Sequence, residues 1–175
     1  VTARPSAKLA ILPADESRIP LILSFIRKLA EYEKLSREVV ADEETLRRSL
    51  FGAHPAAEVL FAYVAEEPAG FAVFFQNFST FSGRAGIYLE DLFVDPEYRG
   101  KGIGKALLVY LAKLAKQRGY DRIDWSVLDW NQPAIDFYRR IGAVPLEEWT
   151  VFRLSGEALD SLAGDADHSS GTQFL

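Results

Sequence analysis

Residues 99–108, RGKGIGKALL, set glycine at every second position (Gly100, Gly102, Gly104) among Arg99, Lys101 and Lys105, just before the apolar run Ala106, Leu107, Leu108. Each glycine in a helix interior costs about 1 kcal/mol relative to alanine, so the loop must precede a helix and its bare backbone must serve something else. Three uses compete. A dinucleotide fingerprint needs G-x-G-x-x-G, whereas the spacing here is G-x-G-x-G, and the downstream acids Asp121 and Asp124 do not decide that test either way. A metal-dependent phosphate loop needs G-x-x-x-x-G-K-[ST]; Gly100 to Gly104 is too short, and Ala106 stands where the magnesium-binding hydroxyl belongs. The third is a strand, then R-G-x-G-x-G, then a helix, whose successive N–H groups and N-terminus hold a pyrophosphate without metal. Against all three stands a flexible strand-to-helix turn that binds nothing. The spacing favours the anion cradle, with Arg99, Lys101 and Lys105 adding charge.

The second chemical signal is Glu90-Asp91, adjacent carboxylates inside the apolar run GIYLEDLFV (86–94). Alternation along a strand sends neighbours to opposite faces. Burying a carboxylate costs several kcal/mol unless it is compensated. Either the two are salt-bridged near a strand end, or Glu90 is a general base that also attracts a cation. Asp91 reads as a structural or polar-network residue.

Other chemistries find no residues to carry them. The chain has no cysteine, so disulfides, thiolate metal sites and a cysteine nucleophile are excluded. His54, in the loop GAHP, and His168, near the C-terminus, have no metal-ligand spacing, and no metal is expected. No G-x-S-x-G elbow supports a serine hydrolase. The 12 Phe and 7 Tyr lie in apolar runs without interleaved basic residues, which points to core packing rather than base stacking. A formal charge of −5 argues against nucleic acid and mildly for a cationic partner. No apolar run approaches the ~18 residues of a membrane span. No charged n-region followed by an apolar h-region stands among the first residues, so no secretory leader is expected. A cytoplasmic location is expected.

The elements that must position these residues follow from periodicity. KLAIL (8–12) reads as a strand, and Asp15 as an N-cap. Apolar residues at Ile19, Ile22, Ile26, Leu29 and Tyr32 mark a helix over 19–35, with Pro20 tolerable only in its first turn. A second helix is expected over 42–51. The runs 58–66 and 69–78 read as a hairpin turning at Glu67-Pro68, and 86–94 as the next strand. A helix over 102–118, a strand over 121–128, a helix over 133–141 and a last strand over 147–154 complete the pattern. One α/β domain is expected over 1–163, followed by a polar tail over 164–175.

YLEDLFVDPEYRGKGIGKALL resembles the acetyl-CoA-binding motif of the GNAT superfamily of N-acetyltransferases, and WNQPAIDFYRRIGA (130–143) resembles its next motif. LAEYEKL (29–35), FGAHP (51–55) and YLEDLFV (88–94) are similar to the spermidine/spermine N-acetyltransferase branch, which includes the thialysine acetyltransferases. The resemblance implies a GNAT fold: a mixed, mostly antiparallel twisted sheet flanked by helices, with acetyl-CoA in the cleft where two central strands part. It implies that the backbone of Leu92, Phe93 and Val94 holds the pantetheine arm and acetyl carbonyl. Arg99, Gly100, Lys101, Gly102, Ile103, Gly104 and Lys105 would hold the pyrophosphate. Asn131 and Ala134 would contact the cosubstrate, Glu90 would act as base and Tyr138 would protonate the departing thiolate. Tyr32 and Glu33 would line an amine pocket, with Trp125 and Ser126 as further candidates and Glu147 and Glu148 adding negative potential. The acceptor would be a diamine, polyamine or lysine-like amine. An aminoacyl, aminoglycoside or protein amine is the alternative, and a non-catalytic acetyl-CoA-binding module is another. The resemblance also implies a homodimer packed through EEWTVFRL (147–154), with Trp149, Val151 and Phe152 in the interface.

Overall fold

The period-two runs become five strands of one sheet: β1 (Leu9–Pro13), β2 (Glu58–Val64), β3 (Glu67–Ser79), β4 (Arg84–Val94) and β5 (Ile123–Trp125). They lie across the sheet in that order; β1 to β4 are antiparallel neighbours and β5 runs parallel to β4. This is the mixed, mostly antiparallel sheet that the sequence implies. The computed structural model describes residues 8–165. These residues form two compact units, one ending at Ser126 and the other beginning at Val127.

In the first unit, α1 (Ile19–Tyr32) begins with Pro20 in its first turn and buries Ile19, Ile22 and Phe25. Phe25 packs edge-on against Phe61 and Phe93, with ring centroids at 5.4 and 6.1 Å, and Ile22, Val59 and Phe71 complete this core. Asp15 caps a short 3-10 turn ahead of α1. α2 (Glu43–Phe51) is capped by Asp42, whose carboxylate accepts from Thr45 N–H at 2.8 Å. Strand alternation turns Leu60, Phe74, Ile87 and Leu89 to the other face of the sheet. There α3 (Ile103–Gln117) buries Ile103, Leu107 and Leu111.

Several expected boundaries move. α1 stops at Tyr32, three residues short of the expected Leu35, because Lys34 takes a left-handed φ of 63°. The β2–β3 turn falls at Ala65-Glu66, with φ of 51° and 72°, not at Glu67-Pro68. Pro68 instead lies in β3 beside a bulge at Ala62/Tyr63, where its missing N–H disturbs the ladder least. The expected strand over 121–128 keeps only Ile123–Trp125.

The second unit contains α4 (Gln132–Arg140) and α5 (Glu157–Asp165). The strand expected over 147–154 does not form: Glu147 and Glu148 sit in a turn, and no strand follows. Alternating apolar residues make a strand only when a neighbour completes the ladder, and among the described residues none pairs with this segment. Trp149, Val151 and Phe152 are therefore left 72%, 85% and 91% exposed. α5 occupies the start of the expected tail; the rest of that tail and His168 lie outside the described residues.

Candidate functional site

The sheet forks beside β4. β4 and β5 pair only at Ile87–Ile123, Tyr88–Asp124 and Leu89–Trp125. Beyond Leu89, β4 continues to Val94 against β3 alone, with Leu92 opposite Ala72, Phe93 opposite Phe71 and Val94 opposite Gly70. No strand among the described residues covers the other edge of Glu90–Val94, where Val94 O accepts from Arg99 Nε at 3.0 Å.

The glycine loop follows directly. Asp95 anchors it to α1 by an ion pair with Lys28 at 2.6 Å, and that hydrogen bond holds the Asp95 carboxyl below its ordinary pKa. Gly100 and Gly102 have φ of 75° and 79°, a conformation that side chains with a Cβ resist. The first helical bond of α3 runs from Ala106 N–H to Gly102 O at 3.0 Å. The amides of Ile103, Gly104 and Lys105 therefore have no intrahelical acceptor, and the helix dipole adds positive potential there. A Cβ on Gly100 or Gly102 would meet nothing within 4 Å, and one on Gly104 only Val94 Cγ2 at 3.8 Å. Nothing in the protein itself requires glycine at 104, so its bareness leaves clearance for a ligand. Gly70 seats the helix start on the sheet: a Cβ there would lie 2.9 Å from Phe93 O and 3.5 Å from Ile103 Cγ2. The sequence reading missed Gly70, whose only signal is a glycine inside a strand. Of the basic residues, Arg99 donates to Val94 O at 3.0 Å and stacks over Tyr32 at 4.5 Å. Lys101 donates to Glu97 O at 3.0 Å, and Lys105 is exposed on the first turn of α3.

On the α1 side, Tyr32 ends the helix and Glu33 caps it. The Tyr32 ring lies 6.5 Å from Phe93. Asp91 pairs with Val73 and Leu89 with Phe74, which leaves Glu90 as the extra residue of a β-bulge. The bulge interrupts the alternation from which opposite faces were expected for Glu90 and Asp91. Burial, then the charge of Glu90, then that of Glu33 push the Asp91 carboxyl up to about 7. Burial also raises Glu33. The charges of Glu90 and Glu33 thus bear on Asp91, which the sequence reading had set aside. Its only signal was a second acid in an apolar strand. Ser126 Oγ lies 2.9 Å from the Tyr88 hydroxyl, and Trp125 is the last β5 residue, opposite Leu89.

In the second unit, Asn131, Ala134 and Tyr138 share α4. Asn131 Oδ1 accepts from Ala134 N–H at 3.4 Å, capping the helix, and the partly buried Tyr138 ring lies 5.4 Å from Phe137. A cavity of about 300 Å³ lined by Leu50, Phe51, Tyr110, Leu114 and Arg118 opens at the far end of α3 and holds none of the expected site residues.

A glycine-bounded helix N-terminus beside a forked sheet is an arrangement that would suit a pyrophosphate-bearing cosubstrate. The Acetyltransferase (GNAT) family matches residues 26–143. A thialysine N-epsilon-acetyltransferase of Sus scrofa is 41% identical over 90% of this chain and 99% of its own. The L-ornithine N5-acetyltransferase of Arabidopsis thaliana is 31% identical over 85% of each chain. Among solved structures, an integron cassette protein from the mobile metagenome of V. cholerae superposes with a TM-score of 0.76 at 29% identity, covering 89% of this chain and 97% of that one. An aminoglycoside acetyltransferase from an uncultured soil metagenomic sample has a TM-score of 0.72 at 21% identity, covering 85% and 97%, and shares the fold. The chain belongs to the GNAT acetyltransferase family, and it is an N-acetyltransferase, not a bare binding module. Acetyl-CoA is the family's cosubstrate. The open glycines, unpaired amides and uncovered β4 edge suit its pyrophosphate and pantetheine. Among the described residues no helix is long and apolar enough to cross a membrane, and no group of acids and histidines could hold a metal.

Proposed function

We propose that the enzyme moves acetyl directly to the terminal primary amine of a small cationic acceptor, a diamine or a lysine-like amino compound, in the cytoplasm. Acetyl-CoA supplies the activated acyl carbon. The β4 edge at Leu92, Phe93 and Val94 offers N–H groups to the pantetheine and the acetyl oxygen, where charge develops as the amine attacks. Residues 99–105 would hold the pyrophosphate, and Asn131 and Ala134 are assigned cosubstrate contacts as the family resemblance implies. Glu90 takes the ammonium proton, directly or through water, and Tyr138 returns one to the thiolate. Tyr32 and Glu33 receive the acceptor, with Trp125 and Ser126 as further contacts.

The observation that carries this reading is the set of carboxylates Glu33, Glu90 and Asp91, in which burial and then the charges of Glu90 and Glu33 raise Asp91. A cation supplies the counter-charge such a group lacks. The thialysine and ornithine acetyltransferases among its relatives act on side-chain amines, which supports the same class. An alkylamine with a pKa near roughly 10.4 arrives almost wholly protonated at pH 7, so capture as a cation and deprotonation in place are both needed. A diaminoalkane should therefore exceed the matched monoamine in kcat/KM, and added salt should narrow the gap by screening. Measuring kcat/KM for both against pH and ionic strength tests this. Equal values, or a preference for an aminoglycoside or a protein amine, would replace the reading.

The enzyme is also proposed to be a homodimer. The exposed Trp149, Val151 and Phe152 support an apolar contact between copies, though not through the strand first expected. Light scattering at micromolar concentration should give twice the chain mass; a monomer would refute it.

A further inference from the structure

β5 is three residues long and meets β4 at three residue pairs, which is short even for an edge strand. Its course nevertheless decides where the sheet forks. At its start, away from the fork, three side chains from two strands and the approach to β5 converge. Asn77 Nδ2 donates to Asp124 Oδ2 at 2.9 Å, Arg122 Nε donates to the same oxygen at 2.8 Å, and Arg122 Nη2 donates to Asn77 Oδ1 at 3.2 Å. Arg122 Nη1 is enclosed, with Asp121 Oδ1 at 3.6 Å. Asn77 is on β3, opposite Gly86 of β4, and Arg122 O accepts from Ile87 N–H at 3.1 Å. Side chains from β3 and from the start of β5 therefore meet across β4, and they can do so because Gly86 is bare. A Cβ on Gly86 would lie 2.7 Å from Asn77 Oδ1 and 2.9 Å from Arg122 Cγ. Nearer the fork, the Tyr88 hydroxyl lies 2.9 Å from Ser126 Oγ while the Tyr88 ring stacks on Phe75 of β3 at 5.1 Å. Polar contacts thus tie β5 through β4 to β3, from Arg122 to the residue where the strands part.

We infer that Asn77, Arg122 and Asp124, joined across Gly86, are positioning residues: they clamp β5 so that the fork opens at Leu89–Trp125 with the width acetyl-CoA needs. This rests on the fork being the cosubstrate site. Displacing a bound reactant by about 1 Å can cost about 100-fold in rate, so a strand held by three pairs benefits from an outside brace.

A residue exchange tests the clamp. Asn77→Asp alone sets two carboxylates together, and Asp124→Asn alone removes the guanidinium's acceptor charge. The double variant restores one amide, one carboxylate and one guanidinium. Each single variant should weaken acetyl-CoA binding about 5–10-fold by calorimetry and raise its KM alike, as expected for losing a hydrogen bond of about 1 kcal/mol. The KM for a diamine, measured at saturating acetyl-CoA, should stay within about twofold, and the double variant should recover acetyl-CoA affinity. Asn77→Ala, which adds no charge, serves if a single variant fails to fold. Gly104→Val separates this inference from the site assignment, because its Cβ is accommodated while ligand clearance is lost. Normal acetyl-CoA affinity in folded Gly104→Val overturns the cosubstrate site and the clamp with it. Weakened affinity there, with wild-type affinity and only a lower Tm in the clamp variants, overturns the clamp alone.

Discussion

Tyr138→Phe is expected to lower kcat by roughly 10²–10⁴-fold with acetyl-CoA affinity little changed, the effect of deleting a general acid. Asn131, Ala134 and Tyr138 are spaced three and four residues apart, which puts them on one face of α4. Asn131 fixes the start of that helix by capping it, so the phenol is carried on a defined element. The phenol hydroxyl is a proton donor that can give its proton to sulfur as the C–S bond breaks. Phenylalanine keeps the ring beside Phe137 and removes only the donor. The loss should fall on kcat because the hydroxyl is needed only as the thiolate forms. Single-turnover measurements guard against slow product release concealing the chemical step. Near-normal single-turnover rates would assign Tyr138 to packing.

What could be read from the sequence was local. Gly100 and Gly102 could be placed ahead of a helix because glycine spacing contradicts one; the helix starts at Ile103, one residue from expectation, and takes in Gly104, which the sequence had put before it. Tyr32 and Glu33 could be placed only near a helix end, since the apolar periodicity runs three residues past the end that Lys34 sets. The bulge at Glu90 could not, since it exists only in the register of β4 against β3, set by Val73 and Phe74. Nor could the Asn77–Arg122 contact, which joins residues 45 apart. The segment 147–154 misled because alternation records a preference for one-sided burial, not the presence of a partner strand. The left-handed Ala65-Glu66 turn misled for the opposite reason, since neither residue is one that positive φ favours.

Asp91→Asn should make the ligand-free enzyme more stable at pH 8 and a poorer catalyst at once. A carboxyl raised to about 7 from 3.8 penalises the folded state by about 4 kcal/mol when ionised. The sign follows from proton binding. Between pH 4 and 7 the folded protein holds a proton on Asp91 that the unfolded chain has released. Stability therefore falls as pH rises through this window and levels off above it. Asparagine matches the shape of the neutral acid and carries no such dependence. Its advantage over the wild type should be near zero at pH 3, grow from pH 4 to 7, and reach a plateau of up to about 4 kcal/mol by pH 8. The charges that bear on Asp91 are Glu90 beside it and Glu33 at the end of α1. Repulsion that destabilises the empty site is relieved when an ammonium enters it, so the variant should lose about 10–100-fold in kcat/KM for a diamine, the range for one hydrogen bond to a charged group. Urea unfolding across pH 4–8, with and without diamine, measures both effects. A wild type and variant with parallel stability profiles would show that Asp91 titrates in the ordinary range. A variant with unchanged kcat/KM would remove Asp91 from the acceptor site and leave Glu33 and Glu90 to hold the cation.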